Sequence, residues 1–334
     1  MMTGMRRSGP CRILICLALA FGVVAMARAQ DSPPLPARAT LEALSLEPAR
    51  RLALTDALQR RDYTRAETIL VETIDAETAR DPKSAALPDL LSTVGGIFFL
   101  NGEWLNAAIS FKKAEALRPL GERDRFTLAM AYIRLARPDW ARPELTRLTG
   151  QFPQNALYLY WLARIDYDAQ QYTAAIAKLE KVVALDPQMM RAYDNLGLCY
   201  DYLGRFDEAI KYFRQAIELN RKQPQPSPWP HLNLAITLLA RNQVSEAEEM
   251  LREALRYDAR LPQAHYQLGL ALDRLNRAEE AIQSLTQATQ LDPAYPEPHY
   301  ALGRIYQKRG EKEKAREALA RFQELKDAKR HPRR

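Results

Sequence analysis

The chain has 334 residues, with 48 lysines and arginines against 41 aspartates and glutamates, a formal net charge of +7. That excess lies at the two ends: residues 1–29 hold Arg6, Arg7, Arg12 and Arg28 and no acid, residues 326–334 carry a net +4, and the body between is close to −1. A nucleic-acid-binding body, which needs a stripe of lysine and arginine along one face, is excluded; so is a disulfide-bonded core, since Cys199 is the only cysteine beyond the first 29 residues.

Residues 1–29 have the composition of a secretory signal peptide. A positive start is followed by an apolar run from Ile13 to Ala27, and Ala27-Arg28-Ala29 supplies a small-x-small cleavage pattern, so the mature chain is expected to begin at Gln30. The run has 15 residues, short of the roughly 20 that an uncleaved membrane anchor needs. Cys16 follows Leu14-Ile15 rather than a small residue, which disfavours lipidation. The expected location is exported, either periplasmic or secreted. Residues 30–46 begin proline-rich and are expected to form a flexible linker.

From residue 47 the pattern becomes helical. Residues 47–87 hold a weak version of a helix pair, with Asp62-Tyr63-Thr64-Arg65-Ala66 at its turn. Regular units then start at Pro88, Glu122, Ala156, Met190, Pro228, Pro262 and Pro296, at spacings of 34, 34, 34, 38, 34 and 34 residues. In the unit 190–223, Leu196, Gly197 and Tyr200 share one face of a first helix. Ala209, Ile210, Phe213, Ala216 and Ile217 make an apolar stripe on a second. Gly204 lies between them, where glycine ends a helix in the left-handed conformation. Such a pair cannot bury both apolar faces alone and requires neighbours of its own kind. Pro138 and Pro143 in the unit 122–155, and Asp166 at a position that is usually aromatic, predict local distortion. The one break in phase is the proline-rich loop 221–230, either a lengthened connection or a hinge with Trp229 at its lip. The basic tail, 326–334, is expected to be a solvated end, with weak contact to anionic lipid or an acidic partner as its functional alternative.

A period of 34 residues with helix–turn–helix units resembles the tetratricopeptide repeat family. The pairs Val94-Gly95, Leu128-Ala129, Leu162-Ala163, Leu196-Gly197, Leu234-Ala235, Leu268-Gly269 and Leu302-Gly303 match its first helices. Ala107, Ala141, Ala175, Ala209, Ala247, Ala281 and Ala315 match the alanine of its second. The resemblance covers roughly 240 residues and implies an all-α fold, a right-handed superhelical α-solenoid of helix–turn–helix repeats over 47–325.

Chemistry is sparse. There is no phosphate-binding glycine loop, hydrolase elbow or zinc-type histidine pair, so no catalytic residue, metal or cofactor is expected. His231, His265 and His299 occupy one position of three successive units. First helices about 8–10 Å apart cannot bring all three to a metal at about 2 Å, and a structural role is expected for them. Cys199 is expected to be a buried small hydrophobe.

The resemblance further implies a concave groove, lined by first helices, that binds protein or peptide segments. Its positions map here to Phe126, Arg134, Tyr160, Arg164, Tyr167, Asp194, Leu198, Asp201, Tyr202, Trp229, Tyr266, Asp273, Arg274, Tyr300 and Arg304, about half of them expected to serve packing between repeats. The lysines and asparagines of the family's clamp for C-terminal carboxylates are replaced by tyrosine, aspartate and leucine, which argues against that subclass. The expected function is a non-catalytic interaction scaffold in a cell-envelope assembly. The alternative is a non-catalytic subunit or regulator of an envelope enzyme or of a secretion or pilus complex.

Overall fold

The computed structural model describes Glu42 and residues 44–330. The stretch expected to be a signal peptide, most of the expected linker and the last four residues of the basic tail lie outside that range. The chain is an all-α solenoid of helical hairpins, without strands among the described residues, and it divides into two compact units.

The first unit, ending at Gln151, holds α1 (Pro48–Gln59), α2 (Tyr63–Arg80), α3 (Leu87–Asn101), α4 (Trp104–Leu117), α5 (Glu122–Arg134) and α6 (Pro138–Gln151). The second, from Phe152, holds α7 (Ala156–Asp168), α8 (Tyr172–Leu185), α9 (Met190–Tyr202), α10 (Phe206–Asn220), α11 (Trp229–Ala240), α12 (Val244–Tyr257), α13 (Pro262–Arg274), α14 (Ala278–Leu291), α15 (Pro296–Lys308) and α16 (Lys312–Arg330). Within each unit every helix packs on its successor, and first helices of adjacent repeats also touch: α3 with α5 in the first unit; α7, α9, α11, α13 and α15 in series in the second.

The hairpins close in one way. Each turn has a single residue in the left-handed region, Gly102, Gly204 and Gly310 in three repeats but Arg61, Ala136, Gln170, Asn242 and Asn276 in the others. The following amide donates back to the carbonyl five residues earlier, as Arg205 N does to Tyr200 O at 2.9 Å, which satisfies the orphan carbonyls of the helix end. Ala136, at φ 55°, carries a Cβ that this conformation penalises. Ala136→Gly is therefore expected to raise stability by about 1 kcal/mol. A urea midpoint that falls instead would count against a strained turn.

The hairpin interior follows a small-against-large rule. A Cβ on Gly197 would lie 2.5 Å from the Phe213 ring, closer than real side chains approach, so α9 and α10 meet with glycine under an aromatic face. Both Phe213 and its counterpart in the α3–α4 hairpin, Phe111, are fully buried.

Two departures from the sequence pattern have electrostatic explanations. Asp166 is buried because Lys178 of the same hairpin pairs with it at 2.5 Å. In the first unit Arg125 is buried between Glu144, at 2.6 Å, and Glu115, at 2.9 Å. Buried ions persist only when paired. The expected distortion at Pro138 and Pro143 does not break the helix: Pro138 opens α6, where a missing N–H costs nothing, and α6 continues through Pro143 to Gln151.

Three boundaries differ from expectation. Leu44 and Leu46, in the stretch expected to be a free linker, are buried, and Arg51 donates to both of their carbonyls. The basic tail begins inside a helix, since α16 runs to Arg330 with Gln323 donating to Asp327 one turn on. The loop 221–230 is pinned by a reciprocal clamp: Asn220 Nδ2 donates to Ser227 O and Ser227 N donates to Asn220 Oδ1, both at 2.8 Å. Asn220 itself is fully buried. Among the described residues no helix is long and apolar enough to cross a membrane.

Candidate functional site

In the second unit the fold gathers polar side chains along the first helices. Arg164, on α7, is 4% exposed. Its Nη1 donates to Asn195 Oδ1 of α9 at 2.6 Å, and its Nη2 to Asp168 at 3.1 Å. Asn195 Nδ2 in turn donates to the Tyr160 hydroxyl at 3.1 Å and to the Arg191 carbonyl at 2.7 Å. The guanidiniums of Arg164 and Arg191 lie over the rings of Tyr167 and Tyr160, at 4.8 and 4.6 Å. This network joins α7 to α9.

A second set of bonds joins α9 to α11. Asn233 Nδ2 donates to both carboxylate oxygens of Asp194, at 3.0 and 3.2 Å. Farther along the same two helices, Thr237 Oγ1 donates to Asp201 at 2.9 Å. Burial pushes the Asp194 carboxyl up to about 6, against the opposing bond from Asn233. Burial also raises Asp168, with Arg164 opposing. At the turn end of these helices Tyr172 and Tyr202 stack at 4.9 Å, and Tyr167 meets both edge-on. Burial and the Tyr202 hydroxyl raise the Tyr167 phenol well above its ordinary value.

The fifteen residues expected to line the groove therefore fall into three groups. Phe126, Tyr160, Arg164 and Leu198 are buried and belong to the half expected to serve packing rather than surface; Tyr160 and Arg164 tie α7 to α9 through Asn195. Arg134 (its guanidinium 5.8 Å from the Trp104 ring), Tyr167, Asp194, Asp201, Tyr202, Trp229, Tyr266 and Asp273 are half-buried; Arg274, Tyr300 and Arg304 are exposed. Some of these are engaged internally: Asp273 pairs with Lys308 at 2.9 Å, and Arg274 Nη1 caps the end of α11 through the Leu239 carbonyl at 2.7 Å. Tyr266 packs on Tyr295 and Tyr300 on Phe322.

Sequence reasoning missed Asn195, which orients Arg164, and Asn233 and Thr237, which bond Asp194 and Asp201. A signal was available: Asn195 and Asn233 hold the same place in successive units, where the apolar stripe predicts a buried side chain.

Among the described residues no group of three ligating side chains gathers, and the histidines are held apart in separate packing environments. His231 is fully buried against Tyr257, with rings 5.2 Å apart, while His265 Nε2 lies 3.0 Å from the Ala259 carbonyl. Cys199 is fully buried, and burial pushes its thiol up to about 12, the behaviour of a packing residue rather than a nucleophile. Away from the first-helix face, an open cavity of about 840 Å³ between α10 and the turn after α11 is lined by Asp207, Lys211, Arg214, Glu218 and Arg241. Two of its cations are neutralised, Arg241 by Asp207 and Arg214 by Glu246.

No curated protein matches the sequence. Family models described as tetratricopeptide repeat match residues 126–189, 191–223, 232–257 and 296–329, and one described as TPR repeat matches 274–310. Among solved structures, a tetratricopeptide repeat protein from Parabacteroides merdae is 16% identical over 85% of this chain and 99% of its own, with a TM-score of 0.60. The anaphase-promoting-complex hetero-tetramer Cut9–Hcn1 is 17% identical over 77% of this chain and 52% of its own, at 0.58. PilW, a widely conserved type IV pilus biogenesis factor, is 20% identical over 60% and 92%, at 0.55. These likenesses establish the fold, and the five repeat matches give its family: the chain belongs to the tetratricopeptide repeat proteins.

Proposed function

We propose that this protein is a non-catalytic scaffold in the cell envelope and that it binds an extended segment of a partner protein across the first-helix face of its second unit, from α7 to α13. One observation carries this reading. Hydrogen bonds that run between repeats, Arg164 to Asn195 and Asn233 to Asp194, preset a row of half-buried tyrosines and carboxylates before any partner arrives. Preset side chains lose little entropy on binding, and tyrosine is prominent among residues that dominate interfaces. The envelope location rests on the leader residues 1–29.

Cross-linking in the native envelope fraction, followed by mass spectrometry, tests both parts. A defined partner is expected to be captured there. The double variant Tyr167→Ala with Tyr202→Ala is expected to weaken capture about ten-fold or more while keeping the helical far-UV spectrum. Absence of the protein from the envelope fraction overturns the location; undiminished capture by the folded variant overturns the groove.

A further inference from the structure

Asp194 and Asn233 are left in an unusual state. Asn233 is 4% exposed, its Nδ2 spans both oxygens of Asp194, and its own Oδ1 has no hydrogen-bond partner. Asp194 is half-buried as a residue, and its carboxylate is withdrawn from bulk water. No cation forms an ion pair with it among the described residues. Arg164, whose charge favours the Asp194 carboxylate from a distance, makes its own direct bonds to Asp168 and to Asn195 Oδ1. The donor that the fold supplies to Asp194 is thus a neutral amide.

A carboxylate in such surroundings has lost hydration and has no ion pair in direct contact, only the charge of Arg164 at a distance, and an arriving cation recovers that loss. The neighbourhood suits a cation in two further ways. Asp201, two turns along the same helix, adds a second half-buried acidic residue. Beyond it the Tyr167, Tyr172 and Tyr202 rings form an aromatic wall, and the faces of tyrosine rings attract ammonium and guanidinium groups. An acidic or phosphorylated side chain would meet repulsion at the same place. A bare metal ion would find too few ligands, since no group of three gathers here.

We propose that the site between α9 and α11 receives the side-chain cation of a lysine or arginine in the bound partner segment, with Asp194 as its ion-pair partner and Asn233 as the buttress that aims the carboxylate. This rests on the first-helix face being the segment-binding surface, and it adds the chemistry that the surface selects.

The test uses the full chain on an array of immobilised short peptides of randomised sequence. Retained peptides are expected to be enriched in lysine and arginine. Asp194→Asn, which still accepts a bond from Asn233, is expected to bind the retained basic peptides about ten-fold more weakly and to lose the enrichment. Asp194→Glu is expected to keep it. Asp194→Lys is expected to transfer it to aspartate and glutamate. Peptides retained through the tyrosines without basic enrichment would overturn the cation site and leave the groove standing, as would enrichment that survives in Asp194→Asn. Retention of no peptide would overturn the groove and this site with it.

Discussion

Phe213→Ala is expected to cost about 3–5 kcal/mol, the range for deleting a fully buried phenylalanine. The hairpin of α9 and α10 offers little room to relax. Phe213 fills the space that Gly197 opens, and a backbone with no Cβ cannot move a side chain into the void. The same two helices are held on their other sides by α8 and α11, so they cannot simply close together. In a solenoid, stability is nearly a sum of repeat terms and neighbour terms. A failed central repeat therefore uncouples the repeats before it from those after it within the second unit. Urea unfolding followed by circular dichroism is expected to show a lower midpoint and a split or broadened transition. A single sharp transition displaced by less than about 1 kcal/mol would show that the hairpin collapses around the gap. The mirror change, Gly197→Ala, attacks the same contact by overpacking.

The second large effect is acid lability through His231. Burial, reinforced by Arg221 and opposed by Glu253, lowers its pKa from the ordinary 6.5 to about 4. Neither ring nitrogen has a hydrogen-bond partner, and the ring rests on Tyr257 in an apolar setting. Above pH 6.5 the imidazole is neutral in both the folded and the unfolded chain, so it contributes no pH dependence. As pH falls from 6.5 towards 4 the unfolded chain takes up the proton first, and stability is lost. Below the folded pKa the loss is complete, on the order of 3 kcal/mol. Asp194 acts in the opposite sense: its carboxyl is raised from 3.8 to about 6, so its protonation favours the folded state as pH falls through that window. The net slope of the native protein combines these two with its other shifted carboxylates, among them Asp168 and Asp124, raised, and Glu115, lowered. His231→Phe keeps a flat ring of similar bulk and removes the titration, so it is expected to flatten the loss of urea midpoint between pH 7 and pH 4.5, a prediction made from the sign of the shift. Parallel losses in both proteins would assign the acid sensitivity elsewhere.

The fold was legible because its information is local and repeated. The 34-residue period, the alanine of each second helix and the turn residues recur with every unit, and each recurrence corrects errors in the others. The site was less legible, for a definite reason. Periodicity assigns a residue to a helix face, but Arg164 and Tyr167 share the inner face of α7, and only the neighbouring Asn195 decides that one is buried and the other half-open. Asn233 escaped notice because an amide within an apolar stripe looks like a tolerated exception until its partner, Asp194 on another helix, is known. The same holds for Asp166, whose burial makes sense only through Lys178. The break in phase at 221–230 was visible as four added residues and several prolines. That the loop is pinned was not, because the clamp needs two residues seven apart to face each other.

That clamp bears on how the second unit responds to load. A proline-rich insertion between repeats invites comparison with a joint, yet Asn220 fastens its far end with two backbone hydrogen bonds in a dry setting. The insertion works as a splice: it lengthens the chain without letting the two spliced parts turn freely. Tension applied to a segment lying along the first-helix face passes from α9 to α11 through the Asp194–Asn233 bonds on one side and through this splice on the other. Strain at one end of a bound segment is thereby felt at the next repeat instead of being absorbed in a slack loop.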